Sequence, residues 1–166
     1  MPDFPKPGIL FYDITTLFLE PVALRGAIDG LADYARAREI DYVVSAEARG
    51  FVLGGAVAAT VGAGFILARK PGKLPRETAS VEYQLEYGVD ALEVHADAVR
   101  GGARVLVHDD LLATGGTAAA LCGLVEQAGG VVAGCAFVIE LAFLHGRERL
   151  ADYDVHALVV YDSESE

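Results

Sequence analysis

The sequence predicts an α/β protein built on a mostly parallel sheet covered by helices. Short β-like runs alternate with helical runs along the chain, as βαβ units require. Several of the β-like runs are continuously apolar, the pattern of strands with both faces covered. Hydrophobic residues make up 53% of the chain and charged residues 22%, which excludes a disordered chain.

Taken in order, residues 42–45 read as a strand, 50–61 as a helix and 64–68 as a second strand. Residues 104–107 form a third strand, and 117–127 a helix stopped at Gly129 and Gly130. Residues 131–139 and 155–160 complete the set. No residue from 50 to 68 is charged, which is nearly long enough for a membrane span. Five glycines interrupt that stretch, and Gly62-Ala63-Gly64 reads as a helix stop before Phe65-Ile66-Leu67. A buried helix followed by a buried strand is the better reading, with no membrane partner. From 71 to 90 the pattern lapses: PGKLPRETASVEYQLEYGVD is polar and long for an α/β connection. Such a segment is disordered or a functional lid. Tyr83, Leu85 and Tyr87 alternate with Gln84 and Glu86, as in a β-hairpin arm. The 166 residues are expected to form one domain, residues 1–166, with a lid at about 70–90.

A formal net charge of −11 argues against nucleic acid as a partner, because phosphate neutralisation needs clustered Lys and Arg. Cys122 and Cys135 are the only cysteines and lie in apolar surroundings, so buried free thiols are expected. His95, His108, His145 and His156 are scattered without metal-ligand spacing, so no structural metal site is expected. The N-terminal MPDFPKPGIL holds three prolines and no signal-peptide core.

Residues 105–117, VLVHDDLLATGGT, carry the chemistry. Ligands of an open parallel sheet collect at the carboxyl ends of strands, where the next helix begins. Asp109 and Asp110 are expected to end a strand there. Backbone N–H groups from Ala113 through Thr114, Gly115 and Gly116 to Thr117 would open a helix as an anion cradle. The turn suits a phosphate and the acids suit hydroxyls or a cation, so a phosphorylated sugar satisfies both. A helix cap and ordinary turn is the bland alternative for the glycines alone. No Gly-Lys-Ser/Thr follows, and the third glycine of a dinucleotide fingerprint is missing after Gly62-x-Gly64.

This stretch resembles the phosphoribosyl-pyrophosphate (PRPP) signature of type I phosphoribosyltransferases. The likeness to that family, on its adenine-using branch, runs through Asp3-Phe4-Pro5-Lys6-Pro7-Gly8-Ile9, Phe11-x-Asp13-Ile14 and Glu47-Ala48-Arg49-Gly50-Phe51. It continues through Arg69-Lys70-Pro71-Gly72-Lys73-Leu74-Pro75, Leu85-Glu86-Tyr87-Gly88 and Gly146-Arg147-Glu148-Arg149-Leu150, in family order over nearly the whole chain. The resemblance implies a type I phosphoribosyltransferase-like sheet with a small hood and a flexible catalytic arm. It implies that adenine and PRPP give AMP and pyrophosphate in purine salvage, with Mg2+ as cofactor held mainly by PRPP rather than by the protein. It further implies a cytoplasmic homodimer.

By the same resemblance, Asp109 and Asp110 hold the ribose hydroxyls beside the developing positive charge, and residues 113–117 cradle the 5′-phosphate. Arg49, Arg69, Lys70 and Lys73 take the pyrophosphate, some of them across a dimer interface. Glu86 would manage the proton that adenine loses, as a carboxylate on a closing lid, and Tyr87 would help seal that lid. Phe11 would stack on the purine with Leu141 on its other face, while backbone groups of Leu10 and Tyr12 read its edge. A 6-oxo purine would present an acceptor to a carbonyl there and be rejected.

The sequence departs from the family pattern at His108, where an apolar residue is usual. It also begins almost at the PDFPKPG motif, where relatives carry a further helix, and has Tyr12 where basic residues are frequent. Two alternatives stand beside this reading. One is a transferase for another base such as xanthine or hypoxanthine. The other is a PRPP-sensing regulatory domain without turnover, although such proteins carry a DNA-binding module for which this chain has neither length nor positive charge.

Overall fold

A computed structural model describes residues 12–84 and 89–164. Five parallel strands form one sheet in the order β2-β1-β5-β6-β7. These are β1 (Tyr42–Ala46), β2 (Gly64–Ala68), β5 (Arg104–Leu112), β6 (Val131–Leu141) and β7 (Val155–Tyr161). Helices α1 (Thr15–Leu19) and α2 (Pro21–Arg36) precede the sheet, α3 (Gly50–Val61) joins β1 to β2, and α4 (Gly116–Gln127) joins β5 to β6. Between β2 and β5 a separate antiparallel pair, β3 (Thr78–Gln84) and β4 (Val89–His95), forms a hairpin. Two 3-10 turns, Ala142–Leu144 and Gly146–Leu150, connect β6 to β7.

Alternate residues of each central strand feed two cores, one on each sheet face. Val44, Val105, Val107 and Phe137 pack with Leu121, Leu124 and Val125 of α4 and with Leu92 and Val94 of the hairpin. Val43, Leu106, Ala136 and Val138 pack with Leu31 of α2 and Leu53 and Val57 of α3. With both faces apolar, the strands show no polar alternation, and the expected helix-covered parallel sheet is found. Cys122 and Cys135 are buried free thiols with their sulfurs 3.6 Å apart.

Three differences have physical causes. The longest helix, α2, is outside the expected set: Leu24, Ile28, Leu31 and Ala35 repeat at helical spacing, but Gly26 and Gly30 dilute the signal. β5 runs on through both acids to Leu112, because its neighbour β6 pairs with it as far as Glu140. Asp109 and Asp110 therefore lie inside the strand rather than after its end. The arm is a hairpin that reaches His95, beyond residue 90, because β4 is anchored to the sheet: Arg69 and Glu93 exchange backbone hydrogen bonds of 2.9 and 2.7 Å. No helix among the described residues is long and apolar enough to cross a membrane.

Helix α3 lies close to β1 through its glycines. A Cβ at Gly54 would sit 2.3 Å from Oγ of Ser45, whereas one at Gly55 meets nothing nearer than 4.0 Å. Both changes gain about 1 kcal/mol of helix propensity, so the sign of the outcome reads the packing. Gly55→Ala is expected to raise the stability measured by urea unfolding, and Gly54→Ala to lower it by about 1–3 kcal/mol.

Candidate active site at the carboxyl ends of β1 and β5

From β1 the chain moves outward to β2, then returns to place β5 on the other side of β1. The strand order thus reverses between β1 and β5, and the segments leaving their carboxyl ends diverge around a crevice. After β1 come Glu47, Ala48 and Arg49; after β5 come Ala113, Thr114 and Gly115. Gly115 has φ +80° and precedes the first turn of α4. Its left-handed backbone turns the chain sharply, so the opening N–H groups of the helix face the loop that they close. Asp109 and residues 111–118 line a cleft of about 70 Å³ there. The expected cradle of Ala113, Thr114, Gly115, Gly116 and Thr117 is one continuous lining.

Asp110 is 4% exposed and its Oδ2 pairs with Nε of Arg49 at 2.8 Å. Asp109 accepts the Asp110 backbone N–H at 2.9 Å. Burial first, and then the adjoining Asp110 carboxylate, push the Asp109 carboxyl well above its ordinary range. Gly50 opens α3 against this pair: a Cβ there would lie 2.8 Å from Oδ1 of Asp109. Behind the acids His108 is buried and donates from Nδ1 to the Ala136 carbonyl at 2.8 Å. Loss of water lowers its pKa to about 4, so the residue that departs from the family pattern is neutral near pH 7. Its Nε2 and Oγ of Ser45, its register partner on β1, are buried without a protein hydrogen-bond partner among the described residues.

Of the four expected pyrophosphate cations, Arg49 lies at the crevice beside the acids. Arg69 donates from Nε to Glu47 at 2.7 Å, and Glu47 also accepts the Lys70 N–H at 3.1 Å. Burial raises the Glu47 carboxyl, but the Arg69 and Lys70 hydrogen bonds outweigh it and hold the group below its usual value. Glu47 thus ties the segment after β2 to the segment after β1. Lys70 Nζ reaches Asp90 on β4 at 3.1 Å, and Lys73 is exposed on the same loop. All four cations therefore sit on two loops joined by one carboxylate.

Leu141 is buried at the end of β6 and pairs in register with Tyr161 of β7. The ring of Tyr12 lies 4.7 Å from that of Tyr161, so Tyr161 stands between two of the expected base contacts. Leu10, Phe11, Glu86 and Tyr87 lie outside the described residues. Two further residues reach the site without having been expected. Glu47 was visible only as part of a motif, and Tyr83 of the hairpin packs against the core that includes Ala118 and Leu121 of α4, with the Thr117 side chain near its hydroxyl. The alternation around Tyr83 marked a strand, but its target lies 34 positions away (117 − 83) and leaves no trace in local pattern.

Among the described residues no group of three or more His, Cys, Asp or Glu side chains could hold a metal ion by itself. The arrangement suits a ligand with an anionic ester at the α4 cradle, hydroxyls at the acids and more negative charge toward the two cationic loops.

The chain is similar to known proteins over nearly its whole length. The sequence model of the phosphoribosyl transferase domain matches residues 19–162. Adenine phosphoribosyltransferase of Koribacter versatilis is 61% identical over 162 residues, covering 98% of this chain and 89% of that protein. The enzyme of the same name from Rubrobacter xylanophilus is 60% identical over 162 residues, covering 97% and 88%. Among solved structures, adenine phosphoribosyltransferase from Thermoanaerobacter pseudethanolicus superposes with a TM-score of 0.94 at 50% identity, covering 97% and 94% of the two chains. The Saccharomyces cerevisiae enzyme, solved with an imino-altritol bisphosphate and adenine, gives 0.90 at 40% identity, covering 95% and 92%. With an acid pair, a glycine cradle and full-length likeness of this order in one molecule, the chain belongs to the adenine phosphoribosyltransferase family of phosphoribosyl transferase domains.

Proposed function

We propose that the protein transfers the 5-phosphoribosyl group of PRPP to adenine, giving AMP and pyrophosphate, as a single catalytic domain spanning residues 1–166. The observation that carries this reading is the crevice at the strand-order reversal. It sets Asp109 beside the Gly115 turn and pairs Asp110 with Arg49 at 2.8 Å. The yeast relative's complex with adenine and a bisphosphate supports the choice of base and of a phosphorylated sugar mimic.

Binding begins with charge. PRPP is a polyanion approaching a protein of net charge −11, so the cationic loops determine where it docks. The 5′-phosphate takes the backbone N–H groups of residues 113–117 and the opening turn of α4. Asp109 and Asp110 accept from the ribose diol. Arg49, Arg69, Lys70 and Lys73 face the pyrophosphate. The bond from the anomeric carbon to the pyrophosphate oxygen breaks early, leaving an oxocarbenium-like sugar, and the two acids stabilise its charge. An imidazole nitrogen of adenine then forms the new bond at that carbon, and its proton passes to Glu86. Positioning of the two reactants supplies much of the remaining acceleration.

Mg2+ would neutralise the departing pyrophosphate. Such an ion takes hard oxygen ligands, and PRPP itself would supply most of them. Phe11 and Leu141 sandwich the purine, Leu10 and Tyr12 read its edge through backbone groups, and Tyr87 helps the hairpin to exclude water. The protein works in the cytoplasm as a homodimer, in which one protomer lends cations to its partner's site.

Incubation with PRPP, Mg2+ and adenine is expected to yield AMP, with hypoxanthine, guanine and xanthine used at least about a hundredfold less well. Preferred use of a 6-oxo base would replace this reading with the other-base transferase. PRPP binding with no AMP from any base would replace it with the sensor. Asp110→Asn is expected to lower kcat/KM for PRPP by at least about tenfold while shifting unfolding stability by roughly 1–2 kcal/mol. Unchanged kinetics in that variant would remove the ribose role. Glu86→Ala should cut turnover by more than about tenfold with adenine affinity largely kept; wild-type turnover would reduce Glu86 to a spacer.

A further inference from the structure

The turn between β6 and β7 comes closer to the glycine cradle than any side chain would allow. A Cβ at Gly146 would lie 2.1 Å from the carbonyl oxygen of Ala113 and 3.0 Å from the backbone nitrogen of Gly115. In the other direction, a Cβ at Gly115 would lie 2.4 Å from the carbonyl oxygen of Gly146. These are backbone atoms on both sides, and no rotamer change can relieve them. Gly146 itself is buried and needs no positive φ, so glycine is required there by space alone.

The turn is held firmly enough to act as a backstop. Arg147, the next residue, donates from Nε to Oε1 of Glu140 at 2.9 Å and also pairs through Nη2 with Oε2. Its Nη1 donates to the Val155 carbonyl at 2.8 Å. Glu140 is 4% exposed and pairs in register with Leu112, the residue that leads into the cradle. A forked guanidinium–carboxylate pair of this kind fixes orientation as well as distance. Leu150, at the other end of the turn, is fully buried in the core that includes Leu121 of α4. The turn is thus pinned to β6, β7 and α4, and its glycine rests on the one loop between β5 and α4.

We propose that Gly146 is a positioning residue for PRPP: through backbone contact it sets the Ala113 carbonyl and the Gly115 N–H so that the cradle fits the 5′-phosphate. The proposal rests on the reading of residues 113–117 as the phosphate cradle. An added methyl group pushes the loop out of register with the phosphate ester while leaving Arg49, Arg69, Lys70 and Lys73 where they were. Loss should therefore fall on one end of the substrate.

The test uses the full-length protein and two probes, ribose 5-phosphate and inorganic pyrophosphate with Mg2+, titrated into wild type, Gly146→Ala and Gly123→Ala. Gly123 lies on α4 with open space around its Cβ position and serves as the control. Gly146→Ala is expected to weaken ribose 5-phosphate by at least about tenfold and pyrophosphate by less than about twofold. In turnover, KM for PRPP should rise by about tenfold with kcat at saturation within about threefold. Gly123→Ala should match wild type in all four. Unchanged ribose 5-phosphate affinity in a folded Gly146→Ala protein, or equal loss of both probes, would overturn the proposal. Wild-type protein that binds pyrophosphate but not ribose 5-phosphate would overturn the cradle reading as well, and is recognised without any variant. Should Gly146→Ala not fold, hydrogen exchange of the wild type decides: ribose 5-phosphate must slow the amides of 113–117 and 145–148 together. Slowing of the first segment alone defeats the idea.

Discussion

The ion pair between Arg49 and Asp110 spans the crevice that the sheet order creates, and most of the site can be traced to it. Asp110 is nearly out of reach of water, and a carboxylate in that position without a partner costs several kcal/mol. Arg49 removes that cost from the first position before α3, so the helix must begin where the guanidinium can reach. Gly50 then has to be a glycine, because the helix start presses on Asp109. A guanidinium has five N–H donors in a planar fork. One of them serves Asp110.

Glu47 does the corresponding work for the outer cations. It binds Arg69 by side chain and Lys70 by backbone, and Arg69 in turn is stitched to β4 by its main chain. The hairpin thus hangs from the segment that carries the positive charge. Leu92 and Val94 further bury the hairpin in the core that it shares with α4.

Much of this was legible in the sequence for a definite reason. Strands buried on both faces write themselves as apolar runs, as in β1, the first half of β5 and most of β6, and the edge strands β2 and β7 are apolar as well, although part of each is exposed. The acid pair and glycine turn are local, so their spacing survives in one dimension. Helix α2 was hidden because two glycines weaken its pattern. The extension of β5 through Asp109 and Asp110 was hidden because a strand's end is decided by its neighbour's length rather than by its own residues. The contact of Gly146 with Ala113 and Gly115 joins segments 31 residues apart (146 − 115) through backbone alone, and no residue preference records it.

The two sulfurs packed between α4 and β6 have a practical consequence. Cys122 is 1% exposed and Cys135 0%, and the chain has no other cysteine. The neighbouring Cys135 sulfur and then burial disfavour thiolate at Cys122, so alkylating reagents find little to attack while the fold is intact. Modification then waits for an opening that separates α4 from the sheet, and its rate under native conditions becomes a clock for that event. Two masses added per chain would time the disruption of the scaffold behind the cradle, with no probe having to be engineered.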